Sequence, residues 1–208
     1  MALPVDSNGS LRMDRLRTGC SSPVEKSLEL PSNLKAMTLL ERIRALGFPI
    51  TWRLLQVGWD GPAKVERLVR PEEVIEHATS LLGSDMKEND PTIVRLAAAG
   101  EDEAEVIDSS LRTLSAKELS SDDFEVRKWR YVLLEQVLET LPVDPVAGLI
   151  ALTEFWEQFD FPVDCPHVVQ GRGNDLTAQQ YFTAPFLDQM ARKHANWLER
   201  ERRLLMKQ

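Results

Sequence analysis

The sequence predicts an all-α protein: a compact domain of short helix pairs, which could stack as a solenoid, preceded by a disordered tail. Two observations predict this class. Apolar residues recur at intervals of three and four along most of the chain, which is the spacing of one helix face. The alternation typical of strands is nearly absent, and the stretch HVVQ at 167–170 is its only short candidate.

Two regions divide the chain. Residues 1–36 mix Pro, Ser, Gly and Asn with scattered charges, and they show no sustained periodic pattern. We therefore expect a loosely ordered N-terminal tail. From Met37 the apolar residues follow a helical period, so residues 37–208 are predicted to form one helical domain.

Start and stop residues place the helices of this domain. Pro71 stands at a first helical position, Asp90 and Asp144 each precede a proline, and Thr183 lies two residues before another. Gly83 is expected to cap the end of the third helix. The predicted helices run over about 37–48, 50–59, 71–83, 91–99, 106–115, 122–141, 145–159, 177–182 and 184–205.

Two consecutive segments predict the core. The segment 122–141 is the clearest helix, with Trp129, Val132 and Val137 on its apolar face. The segment 145–159 is apolar nearly all round in its first half, so we expect it to be central.

The charge distribution suggests a binding surface. The formal net charge is −8, and fifteen acidic residues stand against four basic ones between Glu72 and Glu125. Such a region attracts a cationic partner and repels nucleic acid, although acidic runs are more often solvated helix faces. The candidate partner-binding residues are Glu101, Asp102, Glu103 and Glu105.

Compartment and membrane signals are few. No apolar run approaches the roughly 20 residues that a membrane span needs, and the arginines near the N-terminus are not followed by the apolar core of a secretory signal. Cys20 and Cys165 lie far apart without a CxxC motif. We therefore expect a soluble, cytoplasmic protein that does not bind membranes.

The stretch FWEQFDFPVDCPHVVQGRGND at 155–175 is the candidate chemical site. Asp160, Asp164 and His167 have side chains suited to zinc, which would make a metal-dependent hydrolase the alternative function. Their spacing matches no known metal signature, however, and Pro162 and Pro166 break any helix that would align them. A structural corner is the preferred interpretation.

Other chemistry in this stretch is weakly indicated. Cys165 and His167 could act as nucleophile and base, but no activating or oxyanion-stabilising group is apparent. GRGND at 171–175 lacks the lysine and the glycine spacing of nucleotide-binding loops, so Asn174 or Asp175 is expected only to turn the chain. We expect no cofactor.

The order of TWRLLQVGWDG, RKWRYVLLEQVLETL, LTEFWEQFDFPVDCPHVVQ and YFTAPFLDQMARKHANWLERE resembles an uncharacterised family of small bacterial helical proteins, a domain of unknown function. Such proteins look similar to those encoded near polymorphic toxins, where small acidic partners act as immunity proteins. The resemblance covers residues 37–204 and supplies no catalytic residues. It implies a recurring architectural set of Trp129, Trp156, Phe159, Pro162 and Trp197.

Together these observations predict a non-catalytic, cytosolic protein-interaction domain, and the resemblance implies an immunity or antitoxin-like protein whose partner is a basic toxin. Complementary charge would speed the encounter, and a few aromatic anchors would supply most of the affinity.

Overall fold

The computed structural model describes residues 37–82 and 90–207 of the 208-residue chain. The tail predicted for residues 1–36, Cys20 and the cap predicted at Gly83 lie outside the described residues. Within the described ranges every regular element is a helix, and residues 167–170 form no strand, so the all-α class is confirmed.

The helices of the described residues follow the predicted segments closely. They are α1 (Leu39–Ala45), α2 (Trp52–Asp60), α3 (Pro71–Leu82), α4 (Pro91–Ala97), α5 (Ala104–Ser115), α6 (Asp122–Glu139), α7 (Pro145–Gln158), α8 (Ala178–Tyr181) and α9 (Ala184–Leu205).

Capping side chains fix where these helices begin. Ser121, Asp144 and Thr183 each accept a hydrogen bond from the backbone N–H group three residues ahead. Asp90 accepts one from Thr92. These bonds satisfy N–H groups that have no partner inside the helix, which is why short polar residues at these positions predicted the starts.

Helix α6 is the centre of the domain, because it packs against α1, α2, α7 and α9. Trp129 of α6 is fully buried, and its indole N–H donates to the Leu54 carbonyl at 3.0 Å. Gly58 of α2 makes this packing possible, since a Cβ atom there would lie 2.5 Å from the Trp129 ring. Helices α3, α4 and α5 pack against one another beside α2.

Helix α6 also buries an ion pair. Glu125 and Lys128 are almost wholly shielded from solvent, and their charged groups lie 2.7 Å apart. Thr51 donates to Glu125 at 3.0 Å, and Lys128 donates to the Pro49 carbonyl at 3.3 Å. Glu125 and Lys128 are therefore not part of a solvated helix face. Their ion pair joins α6 to the α1–α2 connection.

Helix α7 is less enclosed than its composition predicts. Leu149, Leu152 and Trp156 are buried where α7 meets α6 and α9. Val146 and Ile150, in contrast, remain 44% exposed. Among the helices of the described residues, none combines the length and the apolar character that crossing a membrane requires.

Candidate functional site

The acidic turn, defined here as Glu101, Asp102, Glu103 and Glu105, covers the end of the α4–α5 connection and the first turn of α5. All four residues are exposed. Glu103 is the N-cap residue of α5, and its carboxylate accepts the Gly100 N–H group at 2.7 Å. Part of the role of these acids is therefore local: this bond closes the turn before α5, and Glu105 in the first turn of α5 interacts favourably with the helix dipole.

The carboxylates of the acidic turn have no cation within 4.0 Å among the residues that the structure describes. Neighbouring acids differ. Asp90 pairs with Lys117, and Asp108 pairs with Arg112. The acidic turn is therefore a concentration of negative charge that the surrounding chain, as far as it is described, leaves unbalanced.

The part of the surface that the structure describes has no fully exposed aromatic side chain. In residues 37–82 and 90–207 the exposed large apolar side chains are aliphatic or Met, and none is Trp, Phe or Tyr. The expected aromatic contribution to affinity stays a prediction. Within the described part of Glu72–Glu125, three large apolar side chains are exposed. They are Leu82, Val94 of α4, and Leu119 in the loop before α6.

The corner after α7 begins with a tight helix end. The Asp160 N–H group donates to Glu157 O at 3.1 Å, and the Phe161 N–H group donates to Trp156 O at 3.0 Å. This is a Schellman motif, with Asp160 in the left-handed position that usually takes glycine (φ 54°). The Asp160 carboxylate points to Lys64, with which it forms an ion pair.

The other two predicted metal ligands are engaged elsewhere. Asp164 accepts the Trp197 indole N–H group at 3.0 Å and pairs with Arg130 at 3.2 Å, which ties the corner to α9 and α6. His167 is buried against α7. Asp160, Asp164 and His167 therefore do not converge, and no group of three His, Cys, Asp or Glu side chains in the described residues is placed to hold a metal ion.

Two buried histidines form a polar layer beneath the corner. The Trp156 indole N–H group donates to His194 Nε2 at 2.7 Å, so His194 must carry its proton on Nδ1, 2.6 Å from the Met190 carbonyl. Burial lowers the pKa of His194 to about 4, although the bond to Met190 opposes this shift. His194 is thus a neutral, fully hydrogen-bonded core residue.

His167 is neutral for a similar reason. The Thr153 hydroxyl donates to Leu149 O at 2.8 Å, so its oxygen accepts from His167 Nε2–H at 2.9 Å. Burial, together with the neighbouring His194, lowers the pKa of His167 to about 3. This tautomer leaves the lone pair on Nδ1, and the buried Nδ1 atom has no partner among the described residues.

Cys165 is not arranged as a nucleophile. Burial raises the pKa of its thiol to about 11, so the thiol is protonated at neutral pH. Its Sγ atom lies 4.0 Å from the His167 carbonyl oxygen, and that contact is with the backbone rather than with the imidazole.

The GRGND loop has a defined structure built around Asn174. The Asn174 amide donates to Val169 O at 2.8 Å and to Arg172 O at 3.1 Å. Gly171 and Gly173 have φ values of 72° and 69°, which favour glycine. The loop holds the Arg172 guanidinium 4.4 Å from the centre of the Phe161 ring, and Asn174 turns the chain as predicted.

Comparison with known proteins gives a family. Residues 40–202 match the family described as "Uncharacterized protein conserved in bacteria (DUF2247)". The chain belongs to this family. No curated protein and no solved structure matches the chain.

The DUF2247 match includes the acidic turn, the corner and both buried histidines, and it confirms the resemblance to a bacterial family of this kind. The sequence did not reveal the position of Arg172. Its stacking on Phe161 joins residues eleven positions apart through irregular backbone, for which no periodic signal exists. The one sequence signal for this arrangement was the pair of glycines at 171 and 173, because glycines on both sides of a charged residue indicate a specific turn.

Proposed function

We propose that this DUF2247 protein is a non-catalytic interaction domain that binds a basic protein through the acidic turn. The observation that supports this proposal is a group of four exposed carboxylates at the start of α5, which have no cation within 4.0 Å among the residues that the structure describes. The biological activity that we propose is that of an immunity or antitoxin-like protein, which binds a basic toxin and blocks its active surface.

Electrostatic complementarity would act mainly on the rate of encounter. The acids stand on a turn anchored at both ends by helices, so they present charge without large rearrangement. Charge of this kind raises association rates and sets specificity more than it adds affinity. The affinity must then come from contacts that the partner makes around the turn, and the exposed Val94 of α4 is an apolar group that we expect it to cover.

A pull-down from the source bacterium tests the proposal. The full chain serves as bait at about 0.1 M and about 1 M salt, where the screening length falls from about 10 Å to about 3 Å. We expect a basic protein to be retained at low salt and released at high salt. The variant Glu101→Lys, Asp102→Lys, Glu103→Lys, Glu105→Lys is expected to lose it.

A matched variant controls for net charge. Reversal of four exposed acids elsewhere, Glu154, Glu157, Asp188 and Glu199, changes the total charge by the same amount and leaves the acidic turn intact. Retention should survive this change. The proposal fails if both variants retain the partner equally, or if no basic protein is retained. If the protein is an immunity protein, expression of the retained partner alone must be toxic to the cell, and expression of both proteins together must be harmless.

A further inference from the structure

Helix α7 presents an apolar face to solvent. Val146 and Ile150 lie one turn apart on this helix and are each 44% exposed, and Val143, just before the helix, is 92% exposed. Gly148 and Leu152 lie on the opposite side, which is buried. The solvent side of the first half of α7 is therefore a row of apolar side chains, called here the α7 face.

A groove flanks the α7 face on each side. The groove toward α6 has Val137, Ala151 and Phe155 in its lining. The groove on the other side has Val169 and Phe182. Helices pack by fitting the ridge of one into the groove of another. Because the α7 face is a ridge beside grooves, it is complementary in shape to a second copy of itself.

The α7 face and its surroundings are depleted in charge. Asp144 is the only charged residue in the stretches 142–153 and 176–187, whereas 28% of the whole chain is charged. Its carboxylate already accepts the Ala147 N–H group at 2.8 Å. Among the described residues, Glu154 is the only charged one that lines either groove. Loss of charged residues is what distinguishes the core of a protein interface from other surface.

The same lack of charge indicates which occupant fits. A strongly charged partner gains from opposite charges, and Asp144 and Glu154 are all that this face offers it. A second copy of the chain brings a face that is equally apolar. Over the rest of the surface the net charge of −8 on each copy opposes their association. The α7 face is thus the part of the described surface that best tolerates its own copy.

We propose that two copies of the chain associate through the α7 face as an antiparallel, two-fold symmetric pair. With the symmetry axis beside Ala147, Ile150 of one copy packs on Val143 of the other. The two Glu154 side chains then lie about 20 Å apart along the helices, beyond the screening length of about 8 Å at physiological salt. A parallel pair would place them side by side, where they repel.

The size of the face predicts a weak dimer. Helix α7 has 14 residues and is therefore about 21 Å long. The distance across both grooves is about two helix spacings, or about 20 Å. These dimensions give roughly half of the about 800 Å² that each partner buries in a standard interface. The dimer should therefore depend on concentration and coexist with the monomer.

Sedimentation velocity of the full chain tests this association at concentrations from about 1 to about 500 µM, which bracket a weak interface. We expect a reversible monomer–dimer equilibrium. Its dissociation constant should be several-fold lower at about 1 M than at about 0.1 M salt, because salt screens the repulsion between two acidic chains. A monomer at every concentration, or a dimer that salt dissociates, would assign the face to another occupant and overturn the proposal.

A matched pair of variants tests the face. Ile150→Lys should weaken the dimer at least about 100-fold, because symmetry places two unpaired ammonium groups in an apolar contact. Leu204→Lys on α9 changes an equally exposed residue (45%) and the net charge by the same amount, and it should leave the dimer unchanged. Val146→Lys repeats the test at a second position. Equal dimerisation of Ile150→Lys and Leu204→Lys refutes the assignment.

Cross-linking tests the symmetry. A residue beside a two-fold axis meets its own copy, so the exposed Ala147→Cys should form an intermolecular disulfide under mild oxidation. Leu204→Cys, which carries the same natural cysteines, is the control. Equal yields of covalent dimer from the two variants would rule out an axis beside Ala147. Because the contact excludes the acidic turn, Ile150→Lys should still retain the basic partner, which keeps this test separate from that of the proposed function.

Discussion

Acid should destabilise the protein through His167 and His194. Both imidazoles are neutral in the folded chain, with pKa values lowered by burial to about 3 and about 4. In the unfolded chain a histidine has a pKa of about 6.5. Between these values the unfolded state binds more protons, so the free energy of unfolding falls as the pH drops below about 6.5.

The magnitude follows from the size of the shifts. Each pKa unit corresponds to about 1.4 kcal/mol. Between pH 7 and pH 4, His194 and His167 should each remove about 3 kcal/mol, or about 6 kcal/mol together. Domains of this size are typically stable by about 5–15 kcal/mol, so the two residues alone would remove a large part of the stability.

Urea unfolding followed by tryptophan fluorescence measures the effect at pH 7, 6, 5 and 4. His194→Gln keeps an acceptor for the Trp156 indole but cannot take up a proton. Its stability at pH 7 should be lower than that of the natural chain, yet its loss between pH 7 and pH 4 should be smaller by about 3 kcal/mol. If the difference between the two proteins is the same at every pH, the lowered pKa of His194 is wrong.

Three further predictions concern packing and metal content. Glu125→Gln or Lys128→Met should each cost about 3–5 kcal/mol in urea unfolding because one buried charge loses its partner, whereas replacing both by apolar residues should cost far less. Gly58→Ala should destabilise by about 1–3 kcal/mol despite the better helix propensity of alanine, since its Cβ would overlap Trp129; an unchanged unfolding midpoint would contradict that overlap. Elemental analysis of protein purified without chelator or metal-affinity resin should find no stoichiometric metal, and an ion lost in His167→Ala would reverse the interpretation of the corner.

Local signals predicted the helices well. Asp90, Asp144 and Thr183 marked helix starts because capping depends on residues three or fewer positions apart. The buried Glu125–Lys128 pair was not predicted, because a charged pair three residues apart on a helix has the same pattern when it is exposed. Its burial depends on the α1–α2 connection, which lies more than seventy residues away in the chain.

For the surface, too, the sequence predicted features that depend on adjacent residues and missed those that depend on distant ones. The acidic turn was visible because its charges are adjacent in sequence and a turn between helices is exposed. The exposure of Val146 and Ile150 was not predicted, since an apolar helix does not show which of its faces lacks a neighbour.

The carboxylates of the corner already make contacts that a metal cation would have to break. Asp160 and Asp164, the oxygen ligands that a cation would need, are already paired with Lys64 and Arg130. A metal ion would have to break both ion pairs and leave the mostly buried Arg130 without its partner, which is costly.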